Sequence, residues 1–142
     1  MKVSIVSGGF DPLHVGHIEL FERAKKLSDE LWVILNSDKF LTNKKGKPFM
    51  PFDERKKILK SLRVVDLVIP CIDKDQTVCK TLKKLKKTLA ITDTELFFCN
   101  GGDRTSGKNT PEHKLCEEIE IETVYGLGKK IQSSSWLTND EG

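Results

Sequence analysis

The sequence contains no apolar run approaching the ~20 residues that a membrane-spanning helix requires, which argues against a transmembrane segment. Its four cysteines, Cys71, Cys79, Cys99 and Cys116, form no Cys-x-x-Cys pair and accompany no paired histidine spacing. They read as buried thiols in a reducing compartment rather than as a zinc site or disulfide framework. Charge of one sign is also scarce: 24 basic residues face 21 acidic ones, for a net charge of +3. That balance is too mild to argue for nucleic acid, although basic residues cluster at Lys44–Lys47 and Lys80–Lys87. The N-terminus enters strand-like sequence directly, without a signal-peptide pattern, so the cytoplasm is the expected location. There is no internal repeat and no long linker, and 142 residues fit one domain, 1–142.

Short apolar runs alternate with helical periodicity. Val3–Ser7, Leu31–Leu35, Leu67–Pro70, Glu95–Cys99 and Glu120–Tyr125 read as strands, rich in Val, Ile and Phe and short enough to be buried on both faces. After His17, Ile18, Phe21, Ala24 and Leu27 fall on one side of a helix, with Glu19, Glu22, Arg23 and Lys26 on the other. A second helix is expected over about 52–61 with Ile58, Leu59 and Leu62 inward, a third from about Gln76 through Val78, Leu82 and Leu85, and a fourth over 112–118. The lysines at 80, 83, 84, 86 and 87 read as the solvated face of the third helix. This alternation predicts an α/β fold with a mainly parallel five-stranded sheet flanked by helices. A ligand would then sit at the carboxyl ends of the strands, in the loops after Ser7, Leu35, Pro70, Cys99 and Tyr125.

The segment that carries chemistry follows the first strand: Ser7-Gly8-Gly9-Phe10-Asp11-Pro12-Leu13-His14-Val15-Gly16-His17. Consecutive glycines let a backbone approach phosphate closely. The histidines flank a glycine at a helix start, where N–H groups and the helix dipole favour an anion. Imidazole N–H donors at that point could hold a triphosphate and stabilise charge developing during phosphoryl transfer. The plainer reading makes His14 a helix cap and His17 a buried ring.

Gly9-Phe10-Asp11 followed by His14-Val15-Gly16-His17 resembles the G-x-F-D-x-x-H-x-G-H signature of the cytidylyltransferase-like nucleotidyltransferases. The resemblance implies a Rossmann-like α/β domain, magnesium arriving with the nucleoside triphosphate, and contacts to the triphosphate from His14 and His17. It implies close nucleotide contacts from Gly8, Gly9, Phe10, Asp11 and Gly16. It extends along most of the chain: Asn36-Ser37-Asp38 follows the second strand as in the branch handling glycerol phosphate and heptose phosphate, and Lys44, Lys45 and Lys47 fall in the next loop, where that branch places phosphate-binding lysines. Lys44 and Lys47 are accordingly expected among the catalytic groups. Asp53-Glu54-Arg55 and Arg63-Val64-Val65-Asp66 resemble its E-x-R and R-x-V-D elements, which makes Asp38, Arg55, Arg63 and Asp66 candidates for the substrate site. Asn100-Gly101-Gly102-Asp103 resembles a Gly-Gly-Asp element near the nucleotide, and Ile131-Gln132-Ser133-Ser134-Ser135 resembles a serine/threonine-rich ending that meets phosphate.

In the implied reaction, a phosphorylated sugar or polyol attacks the α-phosphate of ATP or CTP and pyrophosphate leaves. No general base is needed for an oxygen that is already anionic. The partners are thus small molecules, with neither nucleic acid nor membrane, and the resemblance implies a homodimer. One departure stands out: Gly126-Leu127-Gly128-Lys129-Lys130 lacks the arginine that glycerol-phosphate cytidylyltransferases carry before the serine-rich turn. Lysine would supply charge without the planar fork of a guanidinium, and with the Gly-Gly-Asp element this leans toward the heptose-phosphate adenylyltransferase side. Two alternatives come from other classes. The first is a non-catalytic nucleotide sensor on the same fold. The second is a P-loop phosphotransferase using Lys108, although Asn109 stands where that motif needs the magnesium-binding hydroxyl.

Overall fold

The computed structural model describes residues 1–101 and 110–127. Within them β1 (Lys2–Gly8), β2 (Glu30–Leu35), β3 (Leu67–Pro70), β4 (Glu95–Cys99) and β5 (Glu122–Val124) form one parallel sheet in the order β3-β2-β1-β4-β5. The chain builds outward from β1 through β2 to β3, then crosses back to place β4 on the other side of β1. The strand order therefore switches between β1 and β4, where open α/β sheets form a crevice at their carboxyl ends.

Strand alternation divides the core into two layers. Val3, Ile5, Trp32, Ile34 and Phe98 face one side with Leu82 of α4 (Cys79–Thr88) and Leu115 of α5 (Pro111–Glu118). Val6, Leu31, Val33 and Val68 face the other with Phe21 and Ala24 of α1 (Val15–Lys26) and Leu59 of α3 (Phe52–Lys60). Ser4, fully buried on that second face, donates its hydroxyl to the Ala24 carbonyl at 2.9 Å. This is the mainly parallel, helix-flanked sheet that the sequence predicts.

Three local readings change. Lys44 and Lys45 lie in a helix, α2 (Asp38–Lys45), where the sequence suggested a loop. Ser37 starts it by accepting the Phe40 amide at 3.0 Å, and Gly46, at φ 92°, ends it. The third expected helix begins at Cys79 rather than near Gln76, because the buried Asp73 carboxylate accepts the amides of Lys80 and Thr81 at 2.7 and 2.9 Å and so fixes its first turn. Ile58, expected inward, is 37% exposed, whereas its neighbour Leu59 is fully buried.

Candidate active site

The turn from β1 to α1 is built from close packing. A Cβ on Gly8 would lie 3.0 Å from Cζ of Phe10, and one on Gly9 would lie 2.7 Å from Cδ2 of Leu41. Both glycines thus meet a requirement of the protein's own packing, apart from any ligand. Phe10 takes φ 49°, a conformation that costs a bulky residue of order 1–3 kcal/mol. Its buried ring holds it there, edge-on to His17 at 4.9 Å and to Phe21 at 5.3 Å.

The two histidines form a reciprocal cap. His14 is the N-cap of α1, and its Nδ1 accepts the Gly16 amide at 3.1 Å; Nδ1 of His17 accepts the His14 amide at 3.2 Å. The rings stack with centroids 3.7 Å apart and planes inclined by 19°. A neutral imidazole that accepts at Nδ1 carries its proton on Nε2, so each ring has an Nε2–H to donate. Burial, followed by the adjacent His14 ring, pushes His17 down to about 3, and burial alone lowers His14. Both rings are therefore neutral donors near pH 7. This modifies the sequence reading in one respect: the Gly16 amide, expected among the phosphate contacts, is taken by the cap itself. The donors offered at this helix end are the imidazoles. Of the plainer reading, a cap and a buried ring, the structure shows the cap at His14 and a ring at His17 that is half-buried, and the cap is what sets the tautomer.

Asp11 does not face an open site. It is 2% exposed, and its carboxylate oxygens accept the amides of Phe49 and Met50, both at 2.6 Å, and pair with the Lys45 ammonium at 2.8 Å. Burial would raise its pKa, but Lys45 and the two amides together outweigh that and hold it below the ordinary carboxylate value. Asp11 thus ties the β1–α1 turn to the segment between α2 and α3. Arg55 does the same from below. It is 1% exposed, and its guanidinium donates to the carbonyls of Met50 (3.0 Å), Gly9 (2.9 Å) and Asn36 (2.8 Å) and to Asp38 Oδ1 (2.7 Å). The sequence reading made Arg55 a phosphate contact; the structure gives its donors to the loops that form the cleft. Asp38 remains half-exposed on the rim, with one oxygen on Arg55.

Arg63 and Asp66 are not brought to this cleft. They lie in the connection leading into β3, at the amino end of the sheet. Asp66 Oδ2 accepts the amide of Leu31 at 2.8 Å, near the start of β2, and pairs with Lys25 at 2.6 Å. It joins α1 to the sheet edge, and Arg63 is exposed beside it. Lys44 and Lys47 are exposed near the end of α2, and among the described residues their side chains have no partner. Gly102, Asp103, Lys108, Lys129, Lys130, Gln132, Ser133, Ser134 and Ser135 lie outside the described residues. Asn36 is a site residue to which the sequence reading gave no role, and Lys45, grouped there with the phosphate-binding lysines, pairs with Asp11. Nothing in the pattern distinguishes Lys45 from the lysines beside it, and only the fold reveals that the Asn36 amide is buried.

Among the described residues no three His, Cys, Asp or Glu side chains are grouped to hold a metal ion. The buried carboxylate nearest the histidines, Asp11, already has both oxygens occupied. No helix among the described residues is long and apolar enough to cross a membrane.

The model of the family described as cytidylyltransferase-like matches residues 5–129 of this chain. The chain belongs to that family. Glycerol-3-phosphate cytidylyltransferase of Bacillus subtilis is 49% identical over 127 residues, covering 89% of this chain and 91% of the relative. An FAD synthase of Pyrococcus abyssi is 37% identical over 101 residues, covering 69% and 68%. Among solved structures, the lipopolysaccharide core biosynthesis protein of Thermoplasma volcanium superposes with a TM-score of 0.68 at 27% identity, over 88% of this chain and 95% of that one. The cytidylyltransferase and the FAD synthase are nucleotidyltransferases, and this member of the cytidylyltransferase-like family is a nucleotidyltransferase too, with a Rossmann-like fold.

Proposed function

We propose that this cytidylyltransferase-like enzyme transfers a cytidylyl group from CTP to glycerol 3-phosphate or a closely similar polyol phosphate, releasing pyrophosphate. The observation that carries the proposal is the His14–His17 pair: two stacked, neutral imidazoles, each with an Nε2–H to donate, at the start of α1. The 49% identity to a glycerol-3-phosphate cytidylyltransferase supports the choice of substrates.

The acceptor's phosphate oxygen attacks the α-phosphorus, forming one P–O bond as the bond to the β-phosphate oxygen breaks. Negative charge moves onto the departing pyrophosphate. Neutral N–H donors aimed at that charge stabilise it without exchanging a proton with the solvent. His14 and His17 take this role on the β- and α-phosphates. Lys44 and Lys47, on the exposed end of α2 and just beyond it, neutralise phosphate, and Asp38 orients the acceptor at the rim. Magnesium, when bound with the triphosphate, would supply charge neutralisation to its oxygens. Because the attacking oxygen is already anionic, the protein contributes positioning and electrostatics rather than a base.

A second reading, adenylyl transfer from ATP to a sugar phosphate, is favoured by Gly101-Gly102-Asp103 and by lysine rather than arginine at 129 and 130. The likeness to a lipopolysaccharide core biosynthesis protein supports it as well. The test is pyrophosphate release with CTP, ATP, GTP and UTP against glycerol 3-phosphate and heptose and hexose phosphates. Turnover confined to CTP with a polyol phosphate is expected. Preference for ATP with a sugar phosphate would establish the second reading, and no release with any pair would leave a nucleotide sensor.

A further inference from the structure

Asn36 is 5% exposed, and its Oδ1 is the single buried side-chain nitrogen or oxygen among the described residues that lacks a hydrogen-bond partner. The residue is firmly placed. Its amide donates to the Gly8 carbonyl at 3.0 Å, and its carbonyl accepts from Arg55 Nη1 at 2.8 Å. A buried acceptor left unpaired costs stability, and it persists where another requirement outweighs that cost.

Its direction follows from alternation along β2. Trp32 and Ile34 face the core under α4 and α5, while Leu31, Val33 and Leu35 face the core under α1 and α3. Asn36, the next residue, falls on the α4–α5 face. Ser7 follows Val3 and Ile5 on that face of β1, and Asn100 follows Leu96 and Phe98 on that face of β4. Three polar side chains on three adjacent strands therefore crown an apolar layer at the carboxyl end of the sheet. The histidines occupy the opposite face, at the start of α1, so a ligand lying across the strand ends meets both groups. Asn36 belongs to the β2–β3 half, away from the loops after β4 and β5 that the nucleotide would use.

We propose that Asn36 is a specificity-determining residue that accepts a hydrogen bond from a hydroxyl of the phosphorylated acceptor. The inference rests on the proposed function for the identity of the acceptor. A hydroxyl fits better than an amine, because it can donate to Oδ1 and also accept from the amide nitrogen should the side chain turn over on binding. An acceptor without that hydroxyl leaves Oδ1 unpaired in the complex, and this is how a buried polar atom discriminates between otherwise similar ligands.

The test measures binding directly, by calorimetric titration of glycerol 3-phosphate, and of propanediol phosphates that each lack one hydroxyl, into the protein with a non-hydrolysable CTP analogue. Wild type should bind glycerol 3-phosphate roughly ten- to a hundredfold more tightly than one of the deoxy compounds. Asn36→Ala should lose that preference while binding the deoxy compound as wild type does. Asn36→Leu, which replaces the amide with an apolar group of similar size, should raise or leave unchanged the thermal midpoint, because no bond to Oδ1 is lost. A preference that survives in Asn36→Ala would overturn the inference, as would equal weakening for every acceptor, absence of binding by wild type, or a lowered midpoint in Asn36→Leu. Binding that follows the expected pattern without pyrophosphate release would uphold the role of Asn36 and refute the proposed transfer.

Discussion

His17 serves two purposes that separate by mutation. Its Nδ1 accepts the His14 amide and so closes the cap of α1, whereas its Nε2–H is left to donate, in the proposed mechanism to the phosphates. His17→Ala removes both. Losing the capping acceptor should cost about 0.5–2 kcal/mol of stability. Losing the donor should lower turnover roughly a hundred- to a thousandfold, the usual loss for one transition-state donor. His17→Gln separates the two, because glutamine at the third helical position can return its side-chain oxygen to the N-cap amide. It should recover most of the cap while leaving turnover close to that of the alanine variant. Denaturant midpoints read the first quantity, and pyrophosphate release at saturating CTP and glycerol 3-phosphate reads the second. Near-wild-type turnover in His17→Gln would show that the imidazole is only a cap. Equal stability loss in the two variants would show that the reciprocal cap contributes nothing.

Acid should destabilise the protein through the same ring. Folding holds His17 down to about 3 from 6.5, so below pH ~6.5 the unfolded chain binds more protons and stability falls by about 1.4 kcal/mol per pH unit from this residue. Denaturation between about pH 7 and pH 5 should show a loss of about 2 kcal/mol from this residue in wild type, approaching that slope only at the acid end, and a smaller loss in His17→Gln; parallel curves would refute it. Arg55→Ala leaves the carbonyls of Gly9, Asn36 and Met50 without their donor and should cost about 3 kcal/mol or more, with the loss visible in urea in the absence of ligand. A variant of unchanged stability with only a raised KM would restore Arg55 as a phosphate contact. Family resemblance also leads us to expect a homodimer, which light scattering would refute by reporting only the 16.1 kDa chain at micromolar concentration.

The fold was legible wherever burial leaves a period. Leu67–Pro70 and Glu95–Cys99 have the same bounds in sequence and structure, because each reads as a short apolar run bounded by polar or turn residues, although β3 at the sheet edge leaves Leu67 and Pro70 exposed. Helix α2 was hidden because only the adjacent residues Phe40 and Leu41 are buried in it, and two neighbours carry no 3.6-residue repeat. At the site, the histidine pair was legible as a motif. The partners of Asp11 and Arg55 were not, since they are main-chain amides at 49 and 50 and main-chain carbonyls at 9, 36 and 50. Every residue has such groups, so no residue type marks them. Reading Asp11 and Arg55 as ligand contacts took the charge from the sequence, which gives no sign of the main-chain partners that the structure shows.

The main-chain partners of Asp11 and Arg55 have a mechanistic consequence. In the proposed mechanism the enzyme has no base to provide and depends on holding two phosphorylated molecules in line, so the rigidity of the strand-end loops would become part of catalysis. Asp11 and Arg55 serve that rigidity from opposite sides. The carboxylate draws the backbone at 49 and 50 to the β1–α1 turn, and the guanidinium fixes Gly9, Met50 and the end of β2 to α3. Both side chains are nearly inaccessible, so neither charge is lost to solvent, and each charge is balanced within the framework by Lys45 or Asp38. The conspicuous residues of this site therefore fall into two groups that charge and motif alone do not separate: imidazoles with an Nε2–H left to donate, and a buried carboxylate and guanidinium that hold the backbone around them. Substitutions in the second group should lower stability and activity together, because the geometry that positions the phosphates is the geometry that those two side chains maintain.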